Sequence, residues 1–316
     1  GPVFSKLVPK QSTTSKILYS IYFGLTAVET VLLKIAGMPW YDAVIHALSS
    51  AGTGGFSNRN ASVGAYGSVA IDLIITVFIL LFSVNFAVYF LLLTRKFRDI
   101  LASDELRFFL TVVAGSTLLI AWNIRGLYSS FAQALRYAVF QVSSIISTTG
   151  FATADFTLWP QLSHLILILI MFCGACAGST GGGMKCSRIL ILGRSLRREI
   201  HRIVHPRSVE VVTLDGKVVE EETIHSALTF VGSYFLVILA GALIISLDNF
   251  SFSVSFSAAL TCVSNVGPGL ELIGPAGNFY IFSPLSKLVM SLCMIVGRLE
   301  ILPVLVLFSR STWRKD

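Results

Sequence analysis

Three short segments of this chain have the residue types of a cation-binding loop. Each follows a short amphipathic stretch, and their central residues are Thr53, Gly54 and Gly55; Thr148, Thr149 and Gly150; and Asn265, Val266 and Gly267. Rings of backbone carbonyl oxygens can replace the hydration shell of a cation, and glycine reaches the backbone angles that turn carbonyls inward without steric cost. The three loops therefore predict an ion pathway.

The three loops are not identical. The threonine hydroxyls of the first two could add ligands at the inner end, whereas the third has Asn265 and a rigid Gly267-Pro268-Gly269. We therefore expect a site without fourfold symmetry. The charged residues near the loops are interpreted either as vestibule groups or as ordinary solvated charges, and they are Asp42, Arg59, Asp155 and Glu271.

A second glycine-rich segment interrupts the hydrophobic stretch that begins at Gln161. It contains Gly178, Ser179, Thr180, Gly181, Gly182, Gly183 and Lys185, and a basic helix is predicted after it, from Cys186 to Arg198. Each glycine costs a helix about 0.8 to 1 kcal/mol relative to alanine. Backbone freed within a membrane must be buried by protein or line a cavity. We expect this segment to lie beneath the three loops and to act as a gate.

The glycine-rich segment has two other possible interpretations, a phosphate-binding loop and a substrate-binding broken helix. A phosphate-binding P-loop requires a lysine and then a serine or threonine directly after its last glycine, but Gly183 is followed by Met184 and Lys185 by Cys186. That motif fails. A broken helix whose amino terminus holds an anionic substrate, as in secondary transporters, stays open as an alternative.

Arg298 lies deep in the last hydrophobic stretch. An arginine at the bilayer centre is costly, so it must face the interior and find partners. Glu300 is two residues away on a helix and points elsewhere, which leaves the carbonyls of the glycine-rich segment or the permeation path. Arg298 then either pins the gate or sets an electrostatic barrier to cations. The alternative is a purely structural buried ion pair.

The cysteines and histidines carry less information. Cys173 and Cys176 have redox spacing, but they lie in a hydrophobic run where small residues favour close helix packing. His201 and His205 share a helix face without a third ligand, and we interpret them as solvated residues.

These residues must be positioned by a membrane protein. The chain has 316 residues, of which 54% are hydrophobic and 13% charged, with a mean hydropathy of +0.78. Soluble domains carry about 25% charged residues. The candidate spans are 17–36, 68–93, 106–124, 161–173 with a continuation after 183, 226–247, and 284–308. The first residues lack the apolar run of a secretory signal peptide.

The net charge of +7 is concentrated on one side of these spans. Basic residues follow the second span of each hairpin, which indicates the cytoplasmic side by the positive-inside rule. The clusters are Arg95, Lys96 and Arg98; Lys185, Arg188, Arg194, Arg197, Arg198, Arg202 and Arg207; and Arg310, Arg314 and Lys315. Topology explains this charge, so no nucleic-acid partner is expected.

The chain repeats one unit of span, short helix, glycine loop and span. The short helices are predicted at 40–51, 130–146 and 252–263, and about a dozen residues reach only half way through a membrane. The alternative is an amphipathic helix on the membrane surface. The predicted units are 1–103, 104–200 and 223–316, and residues 201–222 form a cytoplasmic linker with two strands joined at Asp215-Gly216, a plausible docking surface.

The sequence resembles the potassium-translocating subunits of the Trk/Ktr/HKT superfamily, and most closely the bacterial TrkH family. The residues that carry the resemblance run from end to end of the chain. They are Ile146 to Thr153, Ala177 to Lys185, Asn265 to Leu270, and Gly297-Arg298-Leu299-Glu300. The resemblance implies a potassium-channel-like pore, a homodimer, and a cytoplasmic nucleotide-binding TrkA-like regulatory ring. It also implies that Gly181 to Gly183 form the gate and that Arg298 faces it.

Family members have four such repeats around one pore, whereas three are counted here. The missing one corresponds to the first, so we expect the chain to be a fragment or its pore to be completed by another polypeptide. The three units then correspond to the family's second, third and fourth repeats. The lost loop often bears the residue that tunes potassium over sodium, so ion choice follows from the resemblance alone.

The sequence thus predicts an all-α integral membrane protein of tandem pore-loop repeats. Its predicted function is potassium uptake across the bacterial inner membrane through a gated, channel-like pore, with potassium as the transported ion and no organic cofactor. The alternative is an ion-coupled secondary transporter of a small solute. An enzyme that uses Cys173 and Cys176 ranks third, and the chain is predicted not to be an enzyme.

Overall fold

The computed structural model describes residues 11–208 and 210–307, and most of this part of the chain is helical. Helices suit an apolar chain in lipid because they satisfy the backbone hydrogen bonds internally. The helices are α1 Gln11–Ile35, α2 Trp40–Ala51, α3 Val69–Ser83, α4 Phe86–Leu93, α5 Phe97–Ala102, α6 Asp104–Ile124, α7 Phe131–Ile146, α8 Gln161–Cys173, α9 Cys186–Val204, α10 Glu221–Ile245, α11 Phe252–Ser264, α12 Pro284–Arg298 and α13 Ile301–Leu307.

Some sequence predictions fall outside the described residues. They concern residue 308 of the last predicted span, Val209 of the predicted linker, the basic residues Arg310, Arg314 and Lys315, and the ends of the first and last predicted units at 1–10 and 308–316.

The three predicted short helices agree with α2, α7 and α11 to within one residue at each end. Their starts are encoded locally. The hydroxyl of Ser130 accepts a hydrogen bond from the amide of Gln133, and that of Ser251 accepts one from Val254, which satisfies amides that a helix start leaves unpaired. Pro39 precedes α2. Each helix ends directly at one of the predicted glycine loops.

A long apolar helix precedes each short one. Within the described residues, three helices are long and apolar enough to cross a membrane, at Lys16–Ile35, Asp104–Leu127 and Glu221–Asp248. Each packs against the short helix that follows it. Leu33, Ile124 and Ile245 are all fully buried and all lie seven residues before the short helix begins. The three units therefore share one register between the long helix and the short helix.

The predicted span 68–93 is not one continuous helix. It consists of two helices, α3 and α4, that meet at an angle of 93°. Asn85 starts α4 by accepting a hydrogen bond from the amide of Ala87. The backbone groups freed by the break form hydrogen bonds with residues of the glycine-rich region. The amide of Cys176 donates to the carbonyl of Ser83 at 3.0 Å, and the amide of Phe86 donates to the carbonyl of Gly178 at 3.1 Å. Hydropathy alone does not report such a break because both halves are apolar.

The predicted span 284–308 is also interrupted. Helix α12 ends at Arg298, α13 starts at Ile301, and Glu300 between them has a φ of +65°. A non-glycine residue in this region is uncommon and ends a regular helix. Arg298 therefore lies at a helix end rather than within a continuous span.

The apolar core has two main parts. One combines buried residues of α6, α7 and α8 with those of α10, α11 and α12, and a smaller one packs α1, α2 and α3 together with Phe140 and Phe151. The second and third units thus share a core, and Phe140 and Phe151 connect it to the first. Helices α11 and α12 pack so closely that a methyl group added at Gly297 would overlap the carbonyl oxygen of Val263.

The predicted hairpin is present as β1 Thr213–Leu214 and β2 Lys217–Val218, with Thr213 opposite Val218. Asp215 and Gly216 have φ values of +52° and +72°, as the tight turn between two strands requires. Helix α9 continues to Val204, inside the predicted linker, and α10 begins at Glu221. Asp104 at the start of α6 accepts from the amide of Asp215 at 2.9 Å, which fixes the hairpin to the helical body.

Candidate functional site

The three glycine loops share one backbone conformation. A positive φ recurs at alternate positions: +50° and +66° at Thr53 and Gly55, +60° and +86° at Thr148 and Gly150, and +57° and +112° at Asn265 and Gly267. Positive φ is uncommon outside glycine, so finding it at the same non-glycine position in three loops indicates a common geometry. The register inferred from the sequence places these same positions in correspondence.

The loops lie side by side in chain order. A methyl group added at Gly55 would overlap the carbonyl oxygen of Thr149, and one added at Gly150 would overlap that of Val266. In each case the glycine of one loop touches the central residue of the next. At Gly267, the corresponding glycine of the third loop, an added methyl group would meet no atom of the described residues within 4 Å. The face that would touch a next loop is therefore open.

Side chains of the short helices hold two of the loops. The hydroxyl of Ser144 donates to the carbonyl of Phe151 at 2.6 Å, and the amide of Gly267 donates to the hydroxyl of Thr261 at 2.9 Å. Ser144 and Thr261 occupy corresponding positions, four residues before the first positive φ of each loop. The helix ends also direct their negative dipole ends toward the loops, which favours a cation there.

The glycine-rich segment lies directly against the inner side of these loops. The amide of Gly182 donates to the hydroxyl of Thr148 at 2.6 Å, and the hydroxyl of Thr53 donates to the carbonyl of Thr180 at 3.1 Å. A methyl group added at Gly182 would lie 2.7 Å from the carbonyl oxygen of Ser264. One segment therefore contacts the inner ends of all three units.

The threonine hydroxyls, which the sequence suggests as extra cation ligands, form hydrogen bonds within the protein. Thr53 and Thr148 bond the glycine-rich segment, and the hydroxyl of Thr149 lies 2.7 Å from that of Ser147. The hydroxyls thus hold the loops and the segment together.

Two cations bind carbonyl oxygens of the glycine-rich segment. Lys185 donates through its ammonium to Gly181, and Arg298 donates through Nη1 to Thr180 at 3.2 Å. The carbonyl of Thr180 thereby accepts hydrogen bonds from both Thr53 and Arg298. The sequence offered the carbonyls of this segment as one of two partners for Arg298, and the structure brings them together.

The sequence missed an ion pair beside the segment. Arg188, on the first turn of α9, binds Glu300 at 3.0 Å, donates to the carbonyl of Met184 at 3.2 Å, and stacks 3.9 Å over the ring of Phe230. Glu300 does not pair with Arg298, as expected from the sequence, but the break between α12 and α13 directs it toward α9, a partner that the sequence did not predict. The pair ties the end of the glycine-rich segment to that break.

Glu105 is a second residue that the sequence did not single out. It is buried on the first turn of α6, and its Oε1 accepts hydrogen bonds from the amides of Ala177 at 2.7 Å and Ser187 at 3.0 Å. One carboxylate oxygen therefore fixes the backbone on both sides of the glycine-rich segment. Only the folded chain brings these residues together, since they are far apart in sequence.

Replacing Glu105 with alanine is expected to destabilise this arrangement by about 2 to 4 kcal/mol, because two buried amides lose a charged acceptor. The change should lower the midpoint of thermal unfolding in detergent. Glu105→Gln keeps an acceptor oxygen and should retain most of the stability. Equal midpoints for the wild-type and Glu105→Ala proteins would contradict this assignment.

A cavity of about 390 Å³ adjoins the glycine-rich segment. Its lining combines loop backbone with the two cations and one carboxylate. The lining residues are Tyr22, Gly52, Ser179, Thr180, Gly181, Gly182, Gly183, Lys185, Phe230, Gly297, Arg298 and Glu300. Such a polar space beside irregular backbone is where a membrane protein tolerates a broken helix.

The predicted vestibule residues have structural contacts. Asp42 is only 4% exposed and binds Arg59 at 3.0 Å and the hydroxyl of Tyr66 at 2.6 Å, so it is not a solvated charge. Asp155 caps a turn by accepting from the amide of Thr157 at 3.0 Å. Glu271 accepts from the hydroxyl of Ser251 at 2.7 Å, at the start of α11.

The structure pairs the cysteines differently from their sequence spacing. The sulfur of Cys173 lies 3.7 Å from that of Cys186, across the base of the glycine-rich segment, and both are buried free thiols. His201 and His205 lie with ring centroids 4.7 Å apart, and His201 is 3.3 Å from Glu210. In the described ranges, no three histidine, cysteine or acidic residues are placed to hold a metal ion.

Comparison with known proteins gives consistent matches. Residues 5–315 match the family model described as TrkH, cation transport protein. The Trk system potassium uptake protein TrkH of Salmonella typhimurium is 36% identical over 319 residues, covering 98% of this chain and 65% of that protein. The Trk system potassium uptake protein TrkG of Escherichia coli is 34% identical, covering 98% of this chain and 64% of that protein.

A solved structure also matches. The crystal structure of the potassium transporter TrkH from Vibrio parahaemolyticus aligns with a TM-score of 0.88 and 32% sequence identity, covering 98% of this chain and 67% of that one. The chain thus spans slightly less than two thirds of the length of the curated relatives named above.

Proposed function

This chain belongs to the TrkH family of cation transport proteins, and from that premise we propose that it moves potassium inward across the membrane through a gated, channel-like pore. The family match and the solved structure show a mostly helical fold shared with membrane transport proteins, and they support a transporter rather than an enzyme. The observation that carries the proposal is the shared positive-φ pattern of three loops that touch one another in chain order.

The selectivity filter is formed by the backbone carbonyls of these loops. Its proposed residues are Thr53, Gly54, Gly55, Thr148, Thr149, Gly150, Asn265, Val266 and Gly267. Potassium is the cargo, and carbonyl dipoles at the ends of three short helices suit a cation of low charge density. The contacts of Gly55 and Gly150 with the neighbouring carbonyls support a filter in which the loops surround a common axis.

The chain contributes three of four pore-loop repeats, which we assign to 1–103, 104–200 and 223–316. The open face at Gly267 supports this count, because each of the other two glycines touches the next loop. A fourth loop placed there would also complete the ring at Gly54. Residues 201–222 then link the third and fourth repeats of the family on the cytoplasmic side.

The glycine-rich segment is the gate. Residues 178–183 lie beneath the filter loops, where hydrogen bonds from Thr53, Lys185 and Arg298 hold two of their carbonyls. A conducting state requires this segment to withdraw from the axis. The bonds of Arg298 and of the Arg188–Glu300 pair link that movement to α12 and α13.

Replacing Arg298 with alanine is expected to raise the basal flux, because the closed segment loses a hydrogen bond from a charged donor. Rubidium uptake into liposomes without any regulator measures this flux. Arg202→Ala, which changes an exposed arginine paired with Glu199, is the matched control and should leave the flux unchanged. Equal fluxes for Arg298→Ala and Arg202→Ala would contradict the gating role.

The partners follow from the family and from the charge pattern. We propose a homodimer and a cytoplasmic TrkA-like nucleotide-binding ring, with the hairpin at Thr213–Leu214 and Lys217–Val218 as part of the docking surface. The basic helix α9 begins where the gate ends, and its Arg194 donates a hydrogen bond to the carbonyl of Thr213 in the hairpin, which gives a direct mechanical route between them.

Rubidium uptake by the full-length protein in liposomes tests the proposed function. We expect uptake down a rubidium gradient that potassium competes with and that an excess of sodium leaves largely intact. Absence of rubidium uptake, or movement of another solute in its place, would overturn the proposal. The second outcome would favour the alternative of an ion-coupled secondary transporter with a broken-helix site.

A further inference from the structure

A buried carboxyl group in the first unit has no partner. Glu29 of α1 is 0% exposed, and neither of its side-chain oxygens makes a hydrogen bond within the described residues. The hydroxyl of Ser50, on α2, lies beside it and is likewise without a hydrogen bond in the present geometry. An unpaired carboxylate at membrane depth is very costly, whereas a neutral carboxyl group is not.

The other two units show that the architecture does not require a polar pair here. Counting four residues back from Leu33, Ile124 and Ile245 gives Glu29, Ile120 and Gly241. Counting three residues back from the first positive φ of each loop gives Ser50, Ile145 and Cys262. Ile120 and Ile145 are both fully buried in the apolar core. Packing alone is thus satisfied by apolar residues at both positions.

No charge on the neighbouring helices compensates Glu29. Helices α2, α3 and α4 pack against α1, and their titratable groups are engaged elsewhere. Asp42 binds Arg59, and His46 contacts the carbonyl of Asp42 and the hydroxyl of Ser57. Asp72 lies 3.6 Å from Arg136, and the hydroxyl of Tyr89 donates to the carbonyl of Leu81. On α1 itself, Lys34 lies over the ring of Trp40. None of these groups forms an ion pair or a hydrogen bond with Glu29 in the part of the chain that the structure describes.

Ser50 connects this position to the first loop. Its carbonyl accepts a hydrogen bond at 3.1 Å from the amide of Thr53, where the loop's first positive φ occurs. The end of α2 thus carries both the neighbour of Glu29 and an anchor of the loop. A change at Glu29 is transmitted to the loop through a single helical turn.

We propose that Glu29 and Ser50 form a proton-binding site behind the first filter loop, in which a protonated Glu29 donates a hydrogen bond to Ser50 and positions the end of α2. The proposal rests on the proposed function, because the property that the site controls is cation flux past that loop. The proton is bound at low pH and lost as the pH rises, so the positioning effect is lost on the alkaline side.

Infrared spectroscopy of the full-length protein tests the proton directly. The wild-type spectrum should contain a carbonyl band of a protonated carboxyl group that is absent from Glu29→Gln. Rubidium uptake should decline at alkaline pH in the wild type and lose this decline in Glu29→Gln, because the amide keeps the neutral form. The proposal would be overturned if the carbonyl band of the wild type were still present in Glu29→Gln. It would also be overturned if rubidium uptake declined equally at alkaline pH in both proteins.

Two further variants separate a functional from a packing role. Glu220→Gln alters an exposed carboxylate and should change neither the band nor the pH profile. The double variant Glu29→Ile with Ser50→Ile copies the pair of the second unit and should fold, but with uptake lowered about tenfold at neutral pH, the size of effect expected for one buried hydrogen bond.

Wild-type uptake and an unchanged pH profile in the folded double variant would overturn the proposal. If the full-length protein moves no rubidium at all, the proposed function fails, while the infrared band still decides whether Glu29 holds a proton.

Discussion

Replacing Gly150 with alanine is expected to cause a severe loss of potassium-selective uptake. Gly150 has a φ of +86°, and an added methyl group would overlap the carbonyl oxygen of Val266 in the next loop. The strain of the left-handed backbone is about 1 to 2 kcal/mol, and the overlap forces the two loops apart in addition. Because the displaced carbonyl is a proposed ligand, we expect rubidium uptake to fall at least about tenfold, corresponding to 1.4 kcal/mol or more.

Gly115 supplies the matched control for this substitution. It lies within α6, where an added methyl group would meet no atom within 4 Å, and its φ is not positive. Gly115→Ala should preserve uptake and raise helix stability by about 1 kcal/mol at most. Full uptake by a folded Gly150→Ala protein would contradict the filter assignment, and so would an equal loss in Gly115→Ala.

Deleting Gly181, Gly182 and Gly183 is expected to raise basal uptake. The deletion removes the amide that binds Thr148, the carbonyl that binds Lys185, and the backbone that lies against Ser264. The residues left between the fixed amides of Ala177 and Ser187 lose these contacts, which hold the segment beneath the loops. Rubidium uptake without a regulator should exceed that of the wild type severalfold.

Gly193→Ala is the control for the deletion. Gly193 lies on α9, the helix that continues from the same segment, and an added methyl group there would meet no atom within 4 Å. Its uptake should equal that of the wild type. A folded deletion variant with uptake at or below the wild-type level would show that residues 181–183 do not obstruct the pathway.

The sequence was most informative where the signal is local. The bounds of α2, α7 and α11 follow from serine caps, a preceding proline and the loops that end them. The break between α8 and α9 follows from the five glycines at positions 174, 178, 181, 182 and 183, and the hairpin from Asp215-Gly216. In each case the residues that determine the conformation lie within a few positions of it.

Prediction failed where a partner distant in the chain decides the conformation. The break between α3 and α4 is stable because its backbone pairs with residues 176–180, and an apolar run of sequence contains no trace of that pairing. The break after α12 changes the direction of Glu300 and creates its pair with Arg188. Asp42 illustrates the same limit, since Arg59 and Tyr66 bury a residue that resembles a solvated charge.

The central claim is that a cation passes between the three glycine loops. Anomalous scattering from thallium bound to the full-length protein locates the cation directly. We expect density on the axis between the loops, within ligand distance of the carbonyls of Gly54, Thr149 and Val266, and reduced density there in Gly150→Ala. Thallium bound only in the cavity beside Thr180 and Arg298, with none between the loops, would contradict it.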